Sequence, residues 1–194
     1  MIPIAHRINR RSDLETLPSH YGVEVDVRAD GKTLILNHDP FIGGEELTEY
    51  LQAFRHQFIV FNIKEAGIEE SVIEAATHFG ITNYFLLDVE FSYLYRAARS
   101  GNRRLAVRFS EDEGIDTVLK YKGMVDWVWI DTQTQLPLTP GIVESLQGFR
   151  CCLVSPDRWG RPDDIRRYRE RMREFSFAPA AVMAGKEYLS QWGL

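Results

Sequence analysis

Short, nearly continuous apolar runs alternate along this chain with segments whose apolar residues repeat at helical spacing. Apolar side chains at i, i+3, i+4 and i+7 predict helices, because this spacing puts them on one helical stripe. The clearest predicted helices cover residues 47–54, 72–79 and 91–98, and weaker ones cover 115–119, 142–149 and 165–175. The apolar runs predict strands at residues 2–5, 23–27, 34–37, 58–63, 84–87, 105–109, 127–130, 151–154 and 180–184.

This alternation predicts an α/β fold built on a parallel sheet, because strands buried on both faces read as continuous apolar runs. Eight or nine strands in 194 residues favour a small, distorted TIM-type (β/α) barrel over an open doubly wound sheet. The second and third strands are separated only by residues 28–32, too few for a crossover helix. Asp30-Gly31 is a hairpin turn signal, and the sequence leaves open whether these two strands pair antiparallel. We expect residues 1–194 to form one domain.

Composition narrows the class of protein. A hydrophobic content of 44% and a charged content of 26% are typical of a soluble globular chain. The net charge of -5 argues against sequence-independent nucleic-acid binding, which requires excess Lys and Arg. Since no apolar run approaches the roughly 20 residues of a membrane span and no signal-like N-terminus is present, we expect a cytoplasmic protein without stable membrane insertion. The sequence does not indicate an oligomeric state.

Charged and polar residues follow or interrupt the first strands in an ordered set. His6-Arg7 follows the first run, Glu24 and Asp26 lie within the second, and His38-Asp39 follows the third. In a parallel barrel the carboxyl ends of the strands surround one site, so these groups are expected to meet there.

Glu24 and Asp26 are two residues apart on a strand and therefore share one face. Two carboxylates pointing into a barrel need neutralising, and a hard divalent cation, Mg²⁺ or Ca²⁺, is the simplest neutraliser. The alternative is that both form ordinary ion pairs with Arg7, Arg28 or Lys32.

His6 and His38 can exchange protons near neutral pH and could flank a bound phosphate as acid and base. Arg7 and Lys64 would supply positive charge to phosphate oxygens. Arg158 and Trp159, in the loop after the run at 151–154, are further candidates for substrate contact.

The chain resembles the glycerophosphodiester phosphodiesterases and the wider group of phospholipase-C-like phosphodiesterases. The matching segments are Ala5-His6-Arg7, Val23-Glu24-Val25-Asp26-Val27, Leu36-Asn37-His38-Asp39-Pro40 and Asn62-Ile63-Lys64. The resemblance implies a distorted (β/α) barrel that cleaves a small phosphodiester, such as a glycerol- or lipid-derived head group, with a divalent cation. It implies that His6 and His38 are the general acid/base pair, Glu24 and Asp26 metal ligands, and Arg7 and Lys64 phosphate contacts.

Three departures from the family pattern bear on the site. Ile8 stands where the family usually has Gly after His-Arg, and residues 9–18 lack the expected Pro-Glu-Asn-Thr-like segment. Asn62 stands where a carboxylate is expected two residues before the lysine. An amide oxygen can bind the cation without contributing charge, so affinity should fall, and Asp88 could compensate as a further ligand.

Three hypotheses follow. The first is a metal-dependent phosphoric diester hydrolase, in which an internal substrate hydroxyl could also attack phosphorus to give a cyclic phosphate. The second is a non-catalytic barrel of the same ancestry that binds a phosphorylated ligand, motivated by Asn62. The third is a non-hydrolytic barrel enzyme such as a sugar-phosphate isomerase, which should keep its activity after EDTA treatment.

Overall fold

The computed structural model describes residues 1–193, which form ten strands, seven α-helices and two 3₁₀ helices. The strands are β1 (Ile2–Ala5), β2 (Gly22–Asp30), β3 (Thr33–Leu36), β4 (Glu45–Glu46), β5 (Phe58–Ile63), β6 (Tyr84–Leu87), β7 (Ala106–Phe109), β8 (Trp127–Ile130), β9 (Arg150–Val154) and β10 (Ala181–Ala184). The helices are α1 (Arg11–Thr16), α2 (Leu47–Ala53), α3 (Glu69–His78), α4 (Phe91–Arg99), α5 (Ile115–Lys120), α6 (Pro140–Ser145) and α7 (Asp164–Glu174). The 3₁₀ helices are Pro156–Trp159 and Leu189–Trp192.

Eight strands pair in parallel in the order β7-β8-β9-β10-β1-β2-β5-β6. The two ends of this order, β6 and β7, meet through the isolated parallel bridge between Leu86 and Leu105. The predicted distorted barrel is therefore confirmed, and its weakest seam lies between β6 and β7.

The region between the second and third strands is a hairpin, as the short connection suggested. The far end of β2 pairs antiparallel with β3, with Asp30 opposite Thr33 and Val27 opposite Leu36. Gly31 has a φ of 61°, a conformation that glycine adopts without steric cost. The barrel thus lacks a helix between these strands, and the question left open by the sequence is answered in favour of antiparallel pairing.

The barrel interior is filled with aromatic and aliphatic side chains toward the amino ends of the strands. Phe58, Phe85 and Trp127 pack together, with ring centroids of Phe85 and Trp127 4.7 Å apart. Trp129 also belongs to this interior cluster. These apolar side chains fill the barrel interior near the amino ends of the strands. The polar side chains of the same strands lie near the carboxyl ends.

A second apolar layer lies between the barrel and its helices and contains Val23, Val25 and Val27. Alternation along β2 therefore sends its valines outward and Glu24 and Asp26 inward, as predicted. Cys151 and Cys152 are free and buried in the outer and interior clusters respectively, so their adjacent side chains point to opposite faces.

The helices predicted from apolar spacing are present, although their ends differ by a few residues. The sequence missed α1, since Leu14 is its sole buried residue within the described chain and no apolar period is visible. None of the described helices has the length and apolar character needed to span a membrane.

Candidate active site

The polar residues singled out in the sequence lie at the carboxyl ends of neighbouring strands. His6 follows β1, Glu24 and Asp26 lie on β2, and Asn62 and Lys64 lie at the end of β5. The strand register places Asp26 of β2 directly opposite Asn62 of β5.

Glu24 is almost completely buried, with 1% of its surface exposed. Asn62 Nδ2 donates to its Oε1 at 2.8 Å, and the backbone N–H of Arg7 donates to its Oε2 at 2.8 Å. Burial and the neighbouring Asp26 charge nevertheless raise the pKa of Glu24 to about 7. Glu24 is therefore stabilised by hydrogen bonds rather than by a direct contact with a Lys or Arg side chain.

Asp26 is fully buried and is held by a side chain that the sequence did not single out. Asn9 Nδ2 donates to Asp26 Oδ2 at 2.8 Å, and the Asp26 N–H donates to Asn9 Oδ1 at 2.8 Å. Lys64 Nζ lies 3.2 Å from Asp26 Oδ1, and Arg7 Nε lies 3.6 Å from Asp26 Oδ2.

Arg7 reaches this position through an unusual backbone conformation, with a φ of 52°. Residues other than glycine rarely occupy this left-handed region, and such outliers cluster at functional sites. Here the turn directs the Arg7 N–H at Glu24 while its guanidinium faces Asp26.

His6 lies beside the acidic pair, with Nε2 3.9 Å from Glu24 Oε2. Its pKa is lowered to about 3, first by burial and then by the positive charges of Arg158, Arg7 and Lys64 and of His38. The imidazole is therefore neutral at pH 7.

His38 is more exposed and is oriented from two sides. Its Nδ1 is 2.8 Å from Asp39 Oδ1, and its backbone carbonyl accepts hydrogen bonds from Arg28 Nε and Nη2. The hydrogen bond from His38 lowers the pKa of the exposed Asp39 carboxyl.

A second network, centred on Arg108, extends the site toward β7 and β8. Arg108 Nε donates to Asp88 Oδ1 at 2.6 Å, and its Nη1 donates to Asp131 Oδ2 at 2.9 Å. Asp131 also accepts from the Trp159 indole at 2.9 Å, which places Trp159 at this network. Asp88 is thereby engaged by Arg108, and it also lies 3.8 Å from Lys64 Nζ.

Arg108 and Asn9 were missed in the sequence analysis. The sequence pattern could have identified Arg108, because a charged residue at an inward position of a buried strand needs oppositely charged partners at the strand end. Asn9 carried none, since it lies in an irregular connection after β1.

Among residues 1–193, no cluster of three or more His, Cys, Asp or Glu side chains is arranged to hold a metal ion. Of the predicted ligands, Glu24, Asp26 and Asn62 lie together, whereas Asp88 is separated from them by Lys64.

No protein-family model matches the sequence, and a comparison with curated proteins finds no match. The fold, in contrast, matches solved structures along almost the whole chain. A glycerophosphodiester phosphodiesterase from Agrobacterium tumefaciens str. C58 superimposes with a TM-score of 0.69 at 14% identity, covering 97% of this chain and 99% of that chain. A glycerophosphoryl diester phosphodiesterase from Parabacteroides distasonis ATCC 8503 gives a TM-score of 0.65 at 10% identity, covering 98% of this chain and 85% of that chain.

The chain has the glycerophosphodiester phosphodiesterase fold. The resemblance drawn from the first 65 residues thus extends, as architecture, over the rest of the chain. Because the identity is so low, the fold does not by itself assign the chemistry, and function has to be argued from the side chains.

Proposed function

We propose that this protein is a phosphoric diester hydrolase that acts on a small phosphodiester. The observation that supports the proposal is that His6, Arg7 and Lys64 all lie within 4 Å of the buried acidic pair, Glu24 and Asp26. Cationic groups suit an anionic phosphate, and imidazoles suit the proton transfers of diester cleavage.

His6 is the candidate for the general base, because its imidazole is neutral at pH 7. A pKa of about 3 makes it a weak base in the empty site, and the negative charge of a bound phosphate would raise this pKa toward the working pH. His38 is then the general acid that protonates the leaving oxygen. The hydrogen bond between Asp39 and Nδ1 of His38 fixes the ring and leaves Nε2 for the substrate.

Arg7, Lys64 and Arg158 are the proposed phosphate contacts. Arg158 Nε is buried and has no hydrogen-bond partner within the described part of the chain, so an incoming oxyanion would satisfy it. Lys64 is held in place by Asp26 and Asp88, which keeps its ammonium group at the strand ends. Trp159, about half exposed and anchored by Asp131, is a proposed substrate contact.

The donor set also fits a divalent cation, Mg²⁺ or Ca²⁺. Asp26 Oδ1 and Asn62 Oδ1 are buried and accept no hydrogen bond within residues 1–193, although the Lys64 ammonium group lies 3.2 Å from Asp26 Oδ1 as an ion-pair partner. Together with Glu24 they offer the oxygen ligands that hard cations prefer. When bound, the cation would act as a Lewis acid on the phosphate. Asp88, already engaged by Arg108, is assigned instead to positioning Lys64.

The proposal is tested by a panel of phosphodiesters that includes glycerophosphocholine, glycerophosphoglycerol and bis(p-nitrophenyl) phosphate. We expect cleavage of at least one of them with added Mg²⁺ or Ca²⁺ and loss of that activity in EDTA. Unchanged turnover in EDTA would argue against the cation, and no turnover of any diester would contradict the hydrolase.

A second candidate is a barrel that binds a phosphorylated ligand without cleaving it. The close approach of Lys64 to Asp26 favours it, because the ammonium group already compensates part of the charge that a cation would neutralise. Calorimetric titration with Mg²⁺ and Ca²⁺ separates the two candidates, since the hydrolase should bind a cation with a dissociation constant below the millimolar range, whereas millimolar or weaker binding favours the binding protein.

A further inference from the structure

A pocket on the outer wall of the barrel lies between the beginning of α3 and the neighbouring helix α4. Its volume of about 520 Å³ is sufficient for a small organic ligand. The connection between β5 and α3 contributes Ala66 and Gly67 to the lining, and α4 contributes Tyr93 and Ala97. This pocket, which we call the α3–α4 pocket, shares no lining residue with the candidate active site.

The charged side chains of the α3–α4 pocket are mostly acidic. They are three carboxylates and one guanidinium: Glu69, Glu70, Glu90 and Arg96. Among residues 1–193, none of these four side chains takes part in an ion pair. Glu70 Oε1 accepts a hydrogen bond from the Tyr93 hydroxyl at 2.8 Å. The pocket therefore carries negative charge that no cation of the described chain contacts directly.

Glu69 is the residue that points to a ligand. The side chain is only 2% exposed, and its Oε1 is buried without a hydrogen-bond partner within the part of the chain that the structure describes. The helix dipole favours acids in the first turn, which accounts for Glu69 and Glu70 at the beginning of α3. It does not account for burying an unsatisfied carboxylate oxygen, which costs free energy unless a donor is supplied.

The other oxygen of Glu69 is held by a turn that requires glycine. Gly67 has a φ of 96°, in the left-handed region, and its N–H donates to Glu69 Oε2 at 2.8 Å. The carboxylate is thereby fixed through Oε2 while it lines the pocket, and Oε1 is left for a donor that enters the pocket.

The chemistry of this acceptor selects an organic cation with N–H donors. Within residues 1–193 no three His, Cys, Asp or Glu side chains are arranged to hold a metal ion, and the carboxylates of this pocket are among those residues. A guanidinium group is weakly hydrated and presents its donors in a planar fork, so it can supply both the charge and the hydrogen bond. A quaternary ammonium group has no N–H and would leave Oε1 unsatisfied.

We propose that the α3–α4 pocket is a binding site for the guanidinium group of a small cationic ligand. The guanidinium would donate to Glu69 Oε1, and the carboxylates of Glu70 and Glu90 would compensate its charge. Arg96 is an exposed side chain, so solvent screens its repulsion. The inference does not depend on the proposed hydrolase function, since the pocket is separate from that site.

Binding is tested by NMR titration of the isotope-labelled full chain in EDTA, with methylguanidinium as the probe. Tetramethylammonium is the matched probe, because it has the same charge and no N–H donor. We expect saturable shifts of the Gly67 and Tyr93 amides with a low-millimolar dissociation constant for methylguanidinium. Tetramethylammonium should bind at least about tenfold more weakly, since it cannot make the charge-assisted hydrogen bond.

Variants assign the binding to these carboxylates. Glu69→Gln keeps the side-chain size and an acceptor for the Gly67 N–H but removes the charge, and it should weaken methylguanidinium binding about tenfold or more. The double variant Glu70→Gln, Glu90→Gln changes two exposed side chains and should weaken binding about threefold. The control is Glu74→Gln, which removes an exposed acid of α3 outside the lining and should leave the affinity unchanged.

Three results would overturn the inference: no saturable binding of methylguanidinium, equal binding of tetramethylammonium, or wild-type affinity in Glu69→Gln. The melting temperature of each variant shows whether it is folded. If Glu69→Gln does not fold, the double variant decides, and wild-type affinity in that variant would equally overturn the site.

Discussion

Individual buried polar residues decide what this site can bind, and Asn62 is the clearest case. The isosteric change Asn62→Asp adds a third carboxylate beside Glu24 and Asp26 without changing side-chain size. Because affinity for hard cations rises with the number of charged ligands, we expect calorimetry to show Mg²⁺ or Ca²⁺ binding roughly ten times tighter or more.

The same change should destabilise the cation-free protein. A third negative charge has to be buried and the hydrogen bond from Asn62 Nδ2 to Glu24 is lost, so the melting temperature in EDTA should fall by several degrees. The control is Asn83→Asp at an exposed position. Weaker cation binding by Asn62→Asp than by the wild type would exclude the proposed ligand set.

His6 predicts a specific acid sensitivity. Its pKa is about 3 in the folded protein and about 6.5 in the unfolded chain, so the unfolded state binds the proton first as pH falls. Protonation of His6 in the unfolded chain should therefore lower the free energy of unfolding by about 2 kcal/mol between pH 7.5 and pH 5. Above about pH 6.5 this loss of stability is absent.

Glu24 changes stability in the opposite direction. Because its pKa is raised to about 7, its contribution to the free energy of unfolding is present at low pH and is lost as pH rises. The effect of His6 is therefore isolated by comparing urea unfolding of the wild type and His6→Asn in EDTA at both pH values. We expect the variant to lose less stability on acidification. The exposed His20→Asn is the control, and identical acid sensitivity of wild type and His6→Asn would refute the assignment.

At the scale of elements, the loop after β3 carries His38 and depends on close backbone packing at Gly44. A Cβ at Gly44 would lie 2.3 Å from the Leu36 carbonyl oxygen, whereas a Cβ at Gly43 would meet nothing within 4 Å. Gly44→Ala should therefore displace the loop, costing about 1–3 kcal/mol of stability and lowering activity, while Gly43→Ala stays near wild type. If Gly44→Ala and Gly43→Ala had the same stability and the same activity, the loop would not position His38.

Elements were predicted well from the sequence wherever a buried face imposes a period. The inward placement of Glu24 and Asp26 followed from alternation along β2, and the missing helix between β2 and β3 followed from their short connection, while the antiparallel pairing of these strands had been left open. What the sequence could not give was the pairing of these acids with Asn9 and Lys64, because side-chain partners depend on register between distant strands.

At the scale of the whole molecule, the barrel is unevenly joined. β9 pairs along both edges, with β8 and with β10, whereas β6 and β7 share the bridge at Leu86 and Leu105. Since local opening follows the regions with fewest backbone contacts, amide hydrogen exchange should be faster in β6 and β7 than in β9. Slower exchange at the seam than in β9 would contradict the description of the barrel.

The proposed chemistry depends on the whole barrel bringing β1 and the loop after β3 to one mouth, so that His6 and His38 act on one phosphate. The most direct measurement is phosphorus NMR of a cleaved diester, such as glycerophosphocholine, with wild-type protein, His6→Asn and His38→Asn. The account predicts a new phosphate resonance with the wild type and rates lowered roughly 10²- to 10⁴-fold in both variants, whose melting temperatures remain close to that of the wild type. Conversion at the wild-type rate by either variant would contradict it.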